Sequence, residues 1–103
     1  MKFVLAPAAR DDLDEIHAYI AADNLDAADR VQEAAFTTFA LLGQTPGLGR
    51  VRPFRNSLLT DLRSFGVSGY PNYVVFYRVR ADAVEIIRVL QGAQDFDAIF
   101  GEG

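Results

Sequence analysis

Arginine is the residue type whose placement in this chain most clearly suggests chemistry. Between positions 50 and 88 the sequence has seven basic side chains, all of them arginine, against three acidic ones. The seven are Arg50, Arg52, Arg55, Arg63, Arg78, Arg80 and Arg88. A planar guanidinium group binds a carboxylate or a phosphate through two parallel hydrogen bonds. We therefore expect this stretch to contact an acidic ligand, although any single arginine could equally be a solvated surface residue.

The charge of the whole chain argues against a general affinity for nucleic acid. The net charge is −4, because residues 1–49 carry eight acidic and three basic side chains and residues 89–103 carry three acidic ones. A protein with this balance is repelled at long range by the phosphates of DNA and RNA. The basic character is thus local to residues 50–88, and a partner with acidic side chains fits it better than naked RNA does.

Other kinds of reactive site find little support in the residue types. The chain has no cysteine, which excludes disulfides, zinc–thiolate sites, iron–sulfur clusters and thiol nucleophiles. Its one histidine, His17, lies beside the apolar stripe of a predicted helix, where a structural role or simple exposure is expected. The acidic residues between positions 11 and 15 suit a helix N-terminus better than a Mg²⁺ site. We expect no metal, no cofactor and no catalytic residue.

Length and composition predict a single domain over residues 1–103. Half of the 103 residues are apolar and 23% are charged, which is ordinary for a globular protein. No apolar run approaches the roughly 20 residues of a membrane span. The N-terminal apolar stretch is also too short for a signal peptide. We therefore expect a cytoplasmic protein that does not enter a membrane.

Hydrophobic spacing predicts a strand followed by two helices. Residues 2–5 read as a strand, and Pro7 suits the first position of a helix. The apolar stripe of that helix is Ala9, Leu13, Ile16 and Ile20, with Asp12, Glu15 and Asp23 expected to face away from it. Asn24 can cap a second helix, which we expect to end near Gly43 in a left-handed conformation. Two helices joined so closely form an antiparallel hairpin.

The second half of the chain has the period of strands. Residues 44–53 are predicted as loop, residues 62–67, 73–79 and 84–90 as strands, and residues 68–72 and 80–83 as turns. Residues 95–100 could form a short helix or an extended arm. The order β-α-α-β-β-β predicts an α+β domain, in which the helical hairpin packs on one face of a mostly antiparallel sheet.

Arg88 stands out within the last predicted strand. Strand alternation places it on one face with Val84, Ile86 and Leu90, so that its charge would emerge from an apolar surface. A charged group in such surroundings is usually paired or functional. Two alternatives remain open: an ion pair with Asp61 or Glu85, or contact with an acidic ligand. Tyr70, Tyr73 and Tyr77 could supply hydroxyl groups nearby.

Several segments, in order along the chain, resemble the RelE/ParE toxin superfamily. The first is Leu5-Ala6-Pro7-Ala8-Ala9-Arg10-Asp11-Asp12-Leu13-Asp14-Glu15-Ile16, and the second is Ala27-Ala28-Asp29-Arg30. Later ones are Pro46-Gly47-Leu48-Gly49-Arg50, Leu62-Arg63-Ser64-Phe65, Tyr73-Val74-Val75-Phe76-Tyr77-Arg78 and Val84-Glu85-Ile86-Ile87-Arg88-Val89-Leu90-Gln91-Gly92-Ala93-Gln94-Asp95. Each segment alone is weakly specific, but the ordered set covers nearly the whole chain. The fold of that superfamily is the one that periodicity predicts here.

Within the superfamily the chain looks closer to ParE than to RelE. RelE-type toxins cleave ribosome-bound mRNA and need a residue that moves protons. Arg63 and Arg88 match basic positions of the family. Where many relatives resemble Val-Leu-His-Gly-Ala-Arg-Asp, however, this chain has Gln91 and Gln94, which cannot act as acid or base near neutral pH. The C-terminal segment likewise offers Phe96 rather than tyrosine or histidine.

The resemblance implies a toxin of a type II toxin–antitoxin system that inhibits DNA gyrase. Such a replication poison, often associated with plasmid stabilisation, is neutralised by a cognate antitoxin in a hetero-oligomer and meets operator DNA only through that antitoxin. Two alternatives are a ribosome-dependent mRNA endonuclease, with Tyr70 or Tyr73 as the base, and an attenuated module that only binds antitoxin. The residues expected to bind partners are Arg50, Arg52, Arg63, Tyr73, Arg78, Arg88, Gln91, Phe96 and Phe100.

Overall fold

The computed structural model describes residues 1–101. The helices are α1 (Pro7–Ala21), α2 (Leu25–Gln44) and α3 (Phe96–Phe100), and the strands are β1 (Lys2–Leu5), β2 (Arg50–Val51), β3 (Arg63–Val67), β4 (Tyr70–Val79) and β5 (Ala83–Gln91). The strands form one sheet in the order β1-β5-β4-β3-β2. β1 runs parallel to β5, and the other neighbours are antiparallel. This arrangement confirms the predicted α+β class and the mostly antiparallel sheet.

The two long helices begin where the sequence predicts. Pro7 is the first residue of α1, and the Asn24 side chain caps α2 by accepting a hydrogen bond from the Ala27 amide at 3.0 Å. α2 ends at Gln44, next to the predicted end at Gly43, but the left-handed conformation expected of Gly43 is wrong, because Gly43 is still helical. Gly43 is needed for a close approach instead, since the Met1 carbonyl lies against its Cα, where a side chain would clash.

Each face of the sheet carries its own apolar core. On one face the helical hairpin packs through residues such as Leu13, Phe39 and Leu42 against Val75 and Tyr77. On the opposite face the loop between β2 and β3 packs together with α3. The buried members of this second core are Leu62, Phe76, Leu90 and Phe100. The sequence predicts the first layer but not the second, and residues 96–100 adopt the helical one of the two predicted alternatives.

A bulge in β5 changes the predicted assignment of its faces. Phe76 lies opposite Arg88 and Tyr77 lies opposite Ile86, so Ile87 has no partner in β4. The extra residue shifts by one position the alternation of side chains between the two faces of the sheet. Val84, Ile86 and Val89 therefore belong to the helix-side core, whereas Ile87 and Leu90 belong to the second core. The expectation that Val84, Ile86, Arg88 and Leu90 share one face is wrong for this reason.

A turn and a short strand in the second half of the chain also differ from the prediction. The turn before β4 is confined to Ser68 and Gly69, and Gly69 adopts a φ of 82°, which favours glycine. β4 consequently begins at Tyr70, inside the predicted turn. The strand β2 lies within residues 44–53, which were predicted as loop; both of its residues are exposed. It extends the sheet beyond β3 and places Arg50 at the edge of the sheet, with Arg52 directly after the strand.

Candidate partner-binding surfaces

Arg88 is held by a carboxylate of its own chain. Its Nε and Nη2 atoms donate to Asp12 Oδ2 and Oδ1 at 2.7 and 2.9 Å. The Asp12 side chain is 8% exposed, which contradicts the expectation that it faces away from the apolar stripe of α1. The expected alternative of an ion pair is thus confirmed for Arg88, but with Asp12 rather than Asp61 or Glu85. This hydrogen bond raises the pKa of Arg88, so the guanidinium stays charged.

The location of Asp12 follows from where β1 ends. β1 pairs with β5 only as far as Leu5 and Ile86, so the Val89 amide has no strand partner on that side. Asp12 Oδ2 accepts a hydrogen bond from this amide at 2.9 Å. A buried main-chain donor left without a partner would be costly. The Asp12 carboxylate therefore accepts the Val89 amide at the edge of β5 and also neutralises the charge of Arg88.

Two other arginines of the strand region are also paired internally. Arg78 donates to Asp61 Oδ1 from Nε at 3.2 Å and from Nη2 at 3.0 Å, and it donates to the Leu58 carbonyl as well. Arg80 pairs with Glu85, Nη2 to Oε1, at 2.8 Å. The guanidinium groups of Arg78 and Arg88 are therefore not free to bind an acidic ligand. Their role in binding a partner stays a prediction, and such binding would compete with these internal pairs.

Four arginines in β2, in β3 and in the loop that joins them form a different group. Arg50, Arg52, Arg55 and Arg63 take part in none of the ion pairs found within residues 1–101. We call these four residues the basic edge. Arg63 Nη1 donates to the Gly49 carbonyl at 2.6 Å, and Arg52 Nη1 donates to Ser64 Oγ at 3.2 Å. Neutral acceptors thus fix two of the four side chains without cancelling their charge.

The guanidinium of Arg52 also lies among aromatic rings. Its central carbon is 5.6 to 5.9 Å from the ring centroids of Phe54, Phe76 and Phe96. Contacts of this kind stabilise a cation that has no carboxylate partner. Arg52 therefore joins the loop after β2 to α3 while its charge remains available to the surface.

The C-terminal phenylalanines pack inside the second core. The Phe100 ring lies 4.8 Å from Phe76 and 4.9 Å from Phe54, between ring centroids, and the residue is buried. Phe96 is half-buried against Phe76, with an edge-on ring at 4.8 Å. The structure thus places Phe100 in the interior, and a partner could contact its ring only after α3 moved. For both residues partner binding stays a prediction.

A polar cleft lies between α1 and the C-terminal end of β5. It is lined by Asp12, Glu15, Ile16, Tyr19, Tyr73, Arg88, Val89, Leu90, Gln91 and Gln94. Three of the predicted partner-binding residues, Tyr73, Arg88 and Gln91, meet here. The Gln94 side chain accepts a hydrogen bond from the Gln91 amide at 2.7 Å, which ties the turn after β5 to the end of that strand.

Sequence reasoning missed the residues that α1 contributes to this cleft. Asp12, Glu15 and Tyr19 are spaced by three and four positions, which places them on one side of a helix. That spacing is the available signal, but the helix dipole and solvation already account for acidic residues near a helix N-terminus. Eight of the nine predicted site residues lie in the cleft, the basic edge or the second core, whereas Arg78 lies apart from these places and is paired with Asp61.

The tyrosines of β4 differ in their surroundings. Tyr77 is buried; its hydroxyl accepts a hydrogen bond from the Gly49 amide and donates to the Pro46 carbonyl, both at 2.7 Å. Burial raises the pKa of Tyr77 above its ordinary value, although the Gly49 bond and the nearby Arg63 act in the opposite direction. Tyr77 therefore supports the fold as a neutral phenol. Tyr70 and Tyr73 are half-buried.

Other features of the described residues bear on the kind of site. His17 Nε2 lies 2.8 Å from Asp29 Oδ1, which joins α1 to α2 and fits the expected structural role. Residues 1–101 contain no group of three or more side chains arranged to hold a metal ion. No helix in the same range combines the length and the apolar character needed to cross a membrane.

Comparison with known proteins gives the family. A family model described as the ParE toxin of type II toxin–antitoxin systems, parDE, matches residues 3–96. No curated protein sequence matches the chain. The solved structure of the chromosomal ParDE toxin–antitoxin system from P. aeruginosa is similar in fold, with a TM-score of 0.68 and 20% identity over 88% of this chain and 95% of that one. The resemblance noted in the sequence is thus confirmed, and the chain belongs to the ParE toxin family of type II toxin–antitoxin systems.

Proposed function

We propose that this ParE-family toxin inhibits DNA gyrase by binding it, and that a cognate antitoxin neutralises it in a hetero-oligomer. Both proposed partners act in the cytoplasm, so we infer that the protein acts there too. It contacts operator DNA only through the antitoxin. The observation that carries the proposal is the composition of the polar cleft. Arg88 is bound there to Asp12, and the side chains at 91 and 94 are amides. These groups can bind a protein surface, but an amide cannot transfer a proton.

A supercoiling assay tests this proposal directly. Purified toxin is incubated with gyrase, ATP and relaxed plasmid, and the products are separated with and without detergent to trap cleaved DNA. We expect supercoiling to fall and a cleavage complex to accumulate. The matched control is Phe39→Asp, which places a charge in a fully buried position and prevents the fold. Unchanged supercoiling with the folded toxin would refute gyrase inhibition.

A second candidate is cleavage of ribosome-bound mRNA. Glu15 favours it, because this carboxylate lines the same cleft as Arg88 and Tyr73 and could accept a proton. Incubation of the toxin with translating ribosomes, followed by primer extension on the message, distinguishes the two activities. Intact message dismisses the endonuclease. Cleavage that Glu15→Gln abolishes, while the thermal transition of the protein is unchanged, would replace the gyrase proposal.

A third candidate is an attenuated module that binds antitoxin without being toxic. The amides at 91 and 94 and the internally paired Arg88 favour it. Expression of the chain in the absence of any antitoxin separates this candidate from the other two. Growth arrest excludes it, whereas normal growth, together with unaffected gyrase and intact message, leaves antitoxin binding as the function.

A further inference from the structure

We propose that the outer edge of β2 is the docking site for an extended, acidic segment of the antitoxin. The proposal rests on the neutralisation of this toxin by an antitoxin, and it adds where and by what chemistry the partner is held. Three features of the described residues meet at this edge. They are charge without counter-charge, an unused main-chain hydrogen-bonding position, and exposed apolar side chains.

Charge distinguishes the basic edge from the other arginines of the sheet. Arg78, Arg80 and Arg88 each bind a carboxylate of the same chain, so a partner must displace that carboxylate before binding them. Arg50, Arg52, Arg55 and Arg63 have no such competitor among residues 1–101. A guanidinium group without an internal carboxylate can bind an acidic partner without first losing an existing ion pair. The basic edge is therefore the surface where a carboxylate-bearing segment gains most.

Arg50, Arg52 and Arg63 lie on both sides of the β2 edge. Val51 lies opposite Arg63 and Arg50 lies opposite Ser64, so strand alternation puts Val51 and Arg63 on the helix side of the sheet. Arg50 shares the other side with Arg52, whose guanidinium reaches Ser64 and the rings of the second core. An extended segment that runs along this edge also alternates its side chains between the two sides. Acidic residues of the segment can thus meet a guanidinium on either side.

The main chain of β2 offers one outward hydrogen-bonding position. The Arg52 amide donates to the Leu62 carbonyl at 2.8 Å, so Arg50 and Arg52 direct their amide and carbonyl groups towards β3. The amide and carbonyl of Val51, between them, point away from the sheet. They are the groups that an added strand would use. The neighbouring Gly49 amide is already bound to the Tyr77 hydroxyl.

Exposed apolar side chains favour a peptide over a nucleic acid as the occupant. Val51 is 51% exposed and Leu48, three residues before it, is 42% exposed. Apolar side chains of a partner can be buried against both, whereas a phosphate backbone offers them nothing. The net charge of −4 also repels nucleic acid at long range. The chemistry of the edge thus fits a segment in which acidic and apolar residues alternate.

A short synthetic peptide of alternating glutamate and valine is the probe, labelled for fluorescence anisotropy. We expect it to bind the full chain, and to bind more weakly as salt concentration rises. The variant Arg50→Glu/Arg55→Glu reverses two exposed side chains and should weaken binding at least about tenfold. The matched control Arg10→Glu/Arg30→Glu makes the same charge change on exposed positions of the helices and should leave binding within about twofold.

The main-chain contribution has its own variant. Val51→Pro removes the outward amide hydrogen and leaves the amides of Arg50 and Arg52 in place, whereas Val51→Thr keeps the amide. We expect proline to weaken peptide binding several-fold more than threonine, with both variants showing the circular dichroism spectrum of the parent.

Each outcome decides the proposal. It is overturned if the peptide fails to bind at about 1 mM, if Arg10→Glu/Arg30→Glu weakens binding as much as Arg50→Glu/Arg55→Glu, or if a single-stranded oligonucleotide binds the basic edge more tightly than the peptide. Gyrase inhibition is measured on the same preparations. Peptide binding without gyrase inhibition supports the docking site and refutes the proposed target, so failure of one is distinguishable from failure of the other.

Discussion

Asp12 on α1 and Arg88 on β5, 76 positions apart in sequence, form a bidentate ion pair with N···O distances of 2.7 and 2.9 Å. The same carboxylate accepts the Val89 amide. The pair thus fastens the first helix to the end of β5 that β1 does not reach. Asp12, which was expected to face solvent, is therefore a structural link between the helical layer and the sheet. Its carboxylate also binds Arg88, the arginine expected to bind a ligand.

The substitution Asp12→Asn tests this link. Asparagine keeps the size of the side chain but removes its charge. Its amide nitrogen is a donor, and it would face the donors of Arg88 or Val89 where an acceptor is needed. Arg88 is partly exposed, so water compensates it in part. We expect the free energy of unfolding to fall by about 2 kcal/mol, measured by urea denaturation at neutral pH.

Asp11→Asn is the control for this prediction. Asp11 is the exposed neighbour of Asp12 on α1, so the same chemical change occurs one position away without loss of the ion pair. We expect its urea transition to coincide with that of the parent chain. Equal stability of Asp12→Asn and Asp11→Asn would show that the Asp12–Arg88 pair contributes nothing to the fold.

Local patterns were sufficient to predict most of the secondary structure. The apolar stripes of the two helices, Pro7 and Asn24 at their starts, and the β-branched and aromatic runs of β4 and β5 are signals contained in a few neighbouring residues. The layer order follows from them, because a helical hairpin with one apolar stripe must cover a sheet face. The family resemblance rests on the same segments and needed no knowledge of contacts.

The site was less predictable because it depends on contacts between distant residues. Asp12 near a helix start has a local explanation, the helix dipole, which conceals its ion pair with β5. The bulge at Ile87 changes the direction of side chains beyond it, and no single residue in β5 announces it. β2 has two exposed residues and no period, so it reads as loop. Even so, Arg50 and Arg52 were predicted to bind a partner from residue type alone, and that role stays a prediction.

Tyr77 should make stability depend on pH in the alkaline range. Burial raises its pKa above the ordinary value of about 10. Between that value and the raised pKa, the unfolded chain loses the phenol proton while the folded chain keeps it. The stabilising contribution is therefore complete below about pH 10 and is lost as the pH rises through the folded pKa. We expect the free energy of unfolding to fall above pH 10, measured by urea titrations at successive pH values.

Two phenylalanine variants identify the residue responsible. Tyr77→Phe removes the titrating group, so the part of the alkaline decline that belongs to it should disappear, even though lost hydrogen bonds to Gly49 and Pro46 lower stability at every pH. Tyr19→Phe removes a tyrosine that is 76% exposed and should leave the decline as it is. A decline of the same steepness in Tyr77→Phe and the parent chain would contradict the assignment.

Gly49 and Gly47 should respond oppositely to alanine. A methyl group at Gly49 would collide with the Tyr77 side chain and the Ser64 carbonyl, whereas one at Gly47 meets nothing within 4 Å. We expect Gly49→Ala to lower the free energy of unfolding by about 2 kcal/mol. Gly47→Ala should leave it unchanged or raise it by about 0.5 kcal/mol, because alanine restricts the unfolded chain. Similar thermal transitions for the two variants would contradict the close packing of Gly49 against Tyr77.

Arg52 should combine a structural role with its charge, and Arg52→Met separates the two. Methionine keeps apolar contact with Phe54, Phe76 and Phe96 but loses the cation–π contacts and the bond to Ser64. We expect a loss of about 1 kcal/mol in the free energy of unfolding and faster amide exchange in α3, which Phe96 begins. Arg50→Met removes a neighbouring charge on the same side of β2 without these contacts, so its α3 exchange should match the parent. If Arg50→Met accelerates exchange in α3 as much as Arg52→Met does, the aromatic contacts of Arg52 do not hold α3 on the sheet.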